Sequence, residues 1–297
     1  MAIQVRVTQQ SIAARVTASL QNNLNRMGDL QERLSSGKMI TRPSDSPTGT
    51  VSSLQLRSEI RAVAQYSRNA DDGLGWLSTL DNTLTSSVAQ VRRVQELTLR
   101  GKNAGASSPE SRAALATEVE NIREELIGLA NTRYLDRPVF GGTTSGAAAY
   151  DSNGVFRPGP TGSVSRTIGD GTKVRVDLAG PEAFGTGATD LFAVLDSIAG
   201  SLRTNPTALA GDLNNLNTAL ENLQTKLADV GSRYNRVEQM RQTADDRALT
   251  LRGQLSEVED IDLPQTIMEV QLQQTAYQAA LATTAKVIQP SLIDFLR

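Results

Sequence analysis

The sequence predicts a mainly α-helical chain: an elongated antiparallel long-helix bundle or coiled coil built from its N- and C-terminal portions, with a small inserted β-rich domain. Three observations carry this. Apolar residues recur at alternating spacings of three and four from Leu213 to Val258, the pattern that keeps one narrow stripe of a supercoiling helix facing its partners. Aromatic residues are few (Phe 5, Trp 1, Tyr 5 in 297 residues), which suits thin aliphatic seams better than a thick core. Between 136 and 189 the text turns abruptly to Gly, Pro, Ser and Thr, so the helical portions flank an insertion of another kind.

The first helix carries Ile12, Val16, Leu20, Leu24, Met27, Leu30 and Leu34 on one stripe. An isolated amphipathic helix is marginal in water, so this stripe needs the C-terminal helix or other copies of the chain, and both ends are expected to be poorly ordered in a free monomer. "LSSGKMITRPSDSPTGT" at 34–50 then reads as a shaped turn rather than a linker. Gly37 allows backbone angles other residues avoid, Pro43 and Pro47 fix theirs, and Ser44 or Asp45 can close a side-chain turn, with Arg42 among them.

A long helix is predicted over about 52–100, its stripe running through Ile60, Val63, Ala70, Leu74, Leu77, Leu84, Val88 and Val91, interrupted by Ser67 and Asp81. Gly73 and Gly75 inside it each cost ~1 kcal/mol against Ala, which points to close contact at that place. A third helix opens with Ser108 as N-cap and Pro109 in its first turn, and lines up Leu115, Val119, Ile122, Leu126 and Leu129. Within 136–189, "SVSRTI" and "KVRVDL" alternate around "GDG", which predicts a hairpin turning at Gly169, Asp170 and Gly171.

The second rod is predicted to start at Asn205 and Pro206 as N-cap and first turn and to carry Leu213, Leu216, Leu220, Leu223, Leu227, Val230, Tyr234, Val237, Ala244, Ala248, Leu251, Leu255 and Val258, with Arg241 as the one polar position. A last amphipathic helix follows, with Leu263, Ile267, Val270, Tyr277, Leu281, Ile288 and Phe295 on one stripe, opened by Pro264 and perturbed by Pro290. The domains expected are therefore a terminal pair (1–40 with 261–297), a rod domain (41–135 with 190–260) and a β-rich outer domain (136–189).

Chemistry is hard to place on this chain. It has no His and no Cys, which removes thiol nucleophiles, disulfides and imidazole acid–base work. "FGGTTSG" lacks the Gly-Lys-Ser/Thr of a phosphate loop. Asp71–Asp72 and Asp245–Asp246 are adjacent on helices and point apart. No enzyme, cofactor or metal site is predicted. Thirty basic against 32 acidic residues, net −2, argue against nucleic acid or anionic membrane as a partner, and neither a cleavable leader nor a membrane span is read from the text.

Several stretches resemble the flagellin superfamily. "LSSGKMITRPSDSPTG" is similar to the segment after that family's first helix, "NADDGLGWLSTLDNTL" with "VRRVQELTLRGKNAG" to its long rod helix, and "DIDLPQTIMEVQLQQTAYQAALATTAKVIQPSLIDFL" to its C-terminal helix. "YLDRPVFGGT" and the turn of Arg42, Pro43, Ser44, Asp45 and Pro47 resemble the hook–filament junction branch more than the filament branch, although Ser46 stands where that branch commonly has a second Asp. The resemblance implies a structural subunit of the bacterial flagellum, forming a ring of its own copies between hook and filament. It implies neighbouring hook-associated and flagellin subunits as partners, an export chaperone on the C-terminal helix, and export by the flagellar type III pathway to the cell exterior. Filament flagellin is the alternative, and a cytosolic coiled-coil adaptor a more distant one.

Overall fold

The structure, a computed structural model, describes residues 9–103, 108–144, 146, 148–157 and 162–288. In chain order these form α1 (Gln9–Ser36), α2 (Pro47–Asn103), α3 (Pro109–Ala130), β1 (Arg133–Tyr134), β2 (Arg137–Pro138), β3 (Ser165–Gly169), β4 (Thr172–Arg175), α4 (Gly180–Phe184), α5 (Leu191–Thr204), α6 (Leu209–Glu259) and α7 (Leu263–Ile288). They divide into two compact units, 1–61 with 249–297 and 62–248, and residues 136–189 belong to the latter.

In the 62–248 unit four helices close a bundle. Arg93 of α2 pairs with Glu118 of α3 at 2.8 Å, and Arg123 of α3 with Asp196 of α5 at 2.9 Å. Ser197 and Ser201 of α5 donate to Asp212 of α6 at 2.8 and 2.6 Å, and Gln95 of α2 donates to Asn217 of α6 at 2.9 Å. These bonds link α2 to α3, α3 to α5, α5 to α6 and α6 to α2, and α2 also meets α5 where Gly101 faces Leu202. The core between them is aliphatic: Leu77, Leu80, Leu84, Val91 and Leu97 of α2, Val119 and Leu126 of α3, Leu195 and Ile198 of α5.

The third helix is capped as its sequence predicts, Ser108 Oγ accepting from the Ser111 N–H at 3.3 Å. The start of the second rod differs from expectation. Residues 191–204 form α5, with Asp190 as N-cap accepting from Phe192 and Ala193, and Asn205 ends that helix by donating its N–H to Ser201 O. α6 opens only at Leu209. Pro206 lacks an N–H and disfavours helix at the residue before it, so the same dipeptide stops one helix before another starts.

Along α6 burial repeats every seven residues, at Leu216, Leu223, Val230, Val237, Ala244 and Leu251. Leu213, Leu220, Leu227, Tyr234 and Leu255 hold the companion heptad position and are half-buried. Two of the polar interruptions make cross-helix contacts, Ser67 donating to Asp245 at 2.9 Å and Arg241 lying 3.7 Å from Asp71, while the neighbouring Asp72 of α2 pairs with Arg166 of β3 at 2.5 Å.

β3 and β4 form the predicted antiparallel hairpin, turning through Asp170 and Gly171 with Gly171 at φ 65. Among the described residues the remaining strands are the two-residue pair β1–β2, of which β1 lies just before the insertion, so the insertion is less β-rich than its composition suggests. Its interior is aromatic instead. Tyr150 meets Phe156, Phe184 and Phe192 edge-on at ring centroid distances of 5.4, 5.7 and 5.1 Å, and Phe140 meets Phe184 at 5.0 Å. Gly73 and Gly75 do mark close approach, Gly75 to β1 and Gly73 first to the β insertion and then to Val237 of α6. A Cβ on Gly75 would lie 2.3 Å from the Tyr134 hydroxyl, and one on Gly73 would lie 3.2 Å from Val176.

Candidate functional site

The 1–61/249–297 unit holds most of the residues that the sequence marks for assembly. α1 and α7 pack side by side, with Gln273 donating to the carbonyl and side-chain oxygens of Asn23 at 3.3 Å. On α1, Val16, Leu20, Met27 and Leu34 are half-buried and Leu24 is exposed. On α7, Val270 is buried and Tyr277 half-buried, whereas Leu263, Ile267 and Leu281 are exposed. Ile12 and Ile288 lie within α1 and α7, and Phe295 falls outside the described residues.

The stripe on α7 is therefore split. Its covered positions are Thr266, Val270, Gln273, Tyr277, Ala280 and Thr284, mostly small or polar, while Met268 and Leu272 join the exposed aliphatics at 63% and 72% exposure. Met268 and Leu272 were not anticipated. The signal was available, because Met268, Leu272 and Ala279 follow helical spacing beside the heptad stripe.

The turn after α1 is shorter than its text suggests, since α1 runs to Ser36 and α2 begins at Pro47. Gly37 ends α1 at φ 70, a left-handed angle that costs an L side chain roughly 1 kcal/mol or more. Asp45 closes the loop backwards, its Oδ2 accepting from the Thr41 N–H at 3.0 Å, the Thr41 hydroxyl at 3.0 Å and the Arg42 N–H at 2.8 Å. Those backbone donors hold its carboxyl below the usual carboxylate range. Arg42 reaches back to Glu32 at 2.8 Å, and Pro43 and Ser44 are exposed. Pro47 takes the first helical position behind Ser46, whose Oγ accepts from the Gly49 N–H at 3.1 Å. Ser46 is thus the N-cap of α2, a role Asp fills equally well.

This loop is fastened to the α6–α7 connection. Lys38 and Asp260 form a β-bridge, the Met39 N–H donates to Glu259 O at 2.6 Å and the Ile261 N–H to Gly37 O at 3.2 Å. Around the bridge sits a charged cluster. Arg57 of α2 grips Glu259 with two bonds of 2.8 and 2.7 Å, and Lys38 Nζ lies 2.5 Å from Asp260 and 3.4 Å from Glu259. Glu259 is nearly buried, at 5% side-chain exposure. The Arg57 bond lowers its pKa most, and the Lys38 bond does the same for Asp260, while Asp260 raises that of Lys38. Such two-pronged charge-assisted bonds fix direction as well as distance. The cluster positions helices and presents no nucleophile, and among the described residues no group of three or more acidic side chains could hold a metal. No described helix is long and apolar enough to cross a membrane.

Comparison with known proteins agrees with this arrangement. Residues 7–143 match the bacterial flagellin N-terminal helical region, and 213–296 the bacterial flagellin C-terminal helical region. The chain is 27% identical to flagellar hook-associated protein 3 of Escherichia coli K12, over 84% of this chain and 86% of that protein. It is 25% identical to the protein of the same name from Salmonella typhimurium, over 99% and 100%. Bacillus subtilis flagellin is a weaker match, 24% identical over 90% and 93%. The crystal structure of Bacillus cereus FlgL shares the fold, with a TM-score of 0.60 over 68% of this chain and 99% of that one at 20% identity.

Proposed function

Because the chain belongs to the bacterial flagellin family, we propose that it is a structural subunit of the flagellum at the hook–filament junction, where copies form a ring and adapt filament flagellin to the hook. The observation that carries this reading is the end-to-end similarity to hook-associated protein 3, ahead of the flagellins. The terminal unit supports it physically. α7 pairs with α1 through small and polar side chains and leaves Leu263, Ile267, Met268, Leu272 and Leu281 outward, a face that needs further subunits to cover it.

On this reading the chain does no catalysis and takes no cofactor. It is exported unfolded by the flagellar type III pathway, held beforehand by a chaperone on the C-terminal helix, and works outside the cell. The 37–46 loop with its charged cluster holds the end of α1 and the start of α7 against the start of α2 and the end of α6. Arg42, Pro43, Ser44 and Asp45 shape that loop, and the α6 stripe is the packing seam of the rod.

The test is complementation of a strain lacking its junction protein, with the chain located by electron microscopy. Restored filaments, with the chain confined to the distal end of the hook, are the expected result. Growth of long filaments from the purified chain on added seeds would make it a filament flagellin instead. A stable oligomer in dilute solution with protected α1 and α7 would favour a coiled-coil adaptor.

A further inference from the structure

In the 62–248 unit a cleft of about 310 Å³ opens between β4 and α6, lined by Lys173, Arg175, Asp229, Ser232, Arg233 and Arg236. Its chemistry follows from two periodicities. Lys173 and Arg175 are two apart on a strand and share a side, and 229, 232, 233 and 236 share one face of a helix. Four cations thus face one carboxylate. Arg175 is fully engaged by Asp177 at 2.9 Å and Glu182 at 3.0 Å, and Arg233 is held by Asp229 at 2.5 Å and the Asp177 carbonyl at 3.1 Å. These two brace the walls. Lys173 and Arg236 are exposed and have no hydrogen-bond or ion-pair partner among the described residues. A recess that gathers like charge and leaves part of it unneutralised attracts an anion.

The complementary surface lies on the same chain. α3 carries five glutamates against two arginines. Glu118 and Glu120 are paired with Arg93 and Arg203 and Glu125 accepts from Gln90. Glu124 is exposed and has no partner among the described residues. The ion pairs of α3 run to α2 and α5, and the exposed Glu124 is left open to another copy.

We propose that the Lys173/Arg236 cleft receives the Glu124 face of α3 from a second copy of this chain. The contact joins two different surfaces, so repetition of it closes a ring or runs on as a helix according to its rotation. The inference rests on the junction reading and adds which faces of neighbouring copies meet.

Charge reversal tests it in the complementation strain. Lys173→Glu with Arg236→Glu should leave the purified chain folded by circular dichroism, since both side chains are exposed, and should lower the number of filaments per cell at least roughly tenfold. Adding Glu124→Lys together with Asn121→Lys, the exposed residue three positions before it on the same face of α3, should recover most of them, because the contact is then rebuilt with its charges exchanged. Wild-type assembly by the reversed cleft overturns the proposal, and so does failure of the α3 changes to recover it. The unaltered chain reports separately on the junction reading: if it restores no filaments, that reading falls whatever the variants do.

Discussion

Glu259 is nearly buried, yet it is gripped by an Arg57 that is about half exposed, so the pair sits between the costly buried and the weak surface regimes. Arg57→Ala should destabilise the chain by ~1–3 kcal/mol in denaturant unfolding, because a carboxylate loses its main partner without gaining water. Acid acts on the same atoms. Glu259 and Asp260 have lowered pKa values, so their contribution is complete above the ordinary carboxylate range, about pH 4, and is lost as pH falls through the lowered values. Lys38 is raised, so its share holds below the ordinary lysine value and fades only as pH climbs through the raised one. Unfolding midpoints followed across pH should therefore show a plateau between these limits that Glu259→Gln flattens on the acid side. Gly75 is a second residue with a single reason to be what it is. Gly75→Ala should cost ~1–3 kcal/mol by driving a methyl into the Tyr134 ring, and Tyr134→Phe in the same chain should recover part of that loss by removing the nearest atom.

At the level of elements, how far the text could be read depended on how many local signals agreed. α3 declared itself through Ser108, Pro109 and a clean apolar face, and the hairpin through alternation around Asp170 and Gly171. α5 was missed although Asp190 caps it and Leu191, Leu195, Ile198 and Leu202 follow helical spacing. The glycine-rich text before it and the attraction of Asn205–Pro206 as a start signal hid a helix that those residues in fact end. α7 shows a different limit. A heptad stripe tells which residues are apolar, but not which stripe a short partner will cover, and α1 covers the small and polar one. Leu272→Asp should accordingly leave the melting temperature within about 2 °C, as expected of an exposed position, and abolish filament restoration. Loss of both together would place Leu272 in the fold rather than in an interface.

For the whole molecule, stability is expected to be uneven. Among the described residues no α1 side chain is buried, whereas α2 between Ala70 and Leu97 is lined by fully covered ones. Amide exchange in the isolated chain should run at least roughly tenfold faster in α1 and α7 than in that stretch of α2, and equal protection of the ends would contradict the idea that they await partners. Composition and periodicity made the two rods and the terminal helices legible. The cluster of Lys38, Arg57, Glu259 and Asp260 was not, because its members lie up to 222 positions apart and nothing local marks them as neighbours. The seven-residue burial repeat of α6 has one more consequence. A deletion of seven residues within the 62–248 unit would keep that stripe in phase to within roughly 20°, whereas a deletion of five would turn the helix beyond it by roughly 140° and bury its polar positions. Changes of length in α6 therefore keep its packing only when they come as whole heptads, a counting rule that can be checked directly in families of natural length variants.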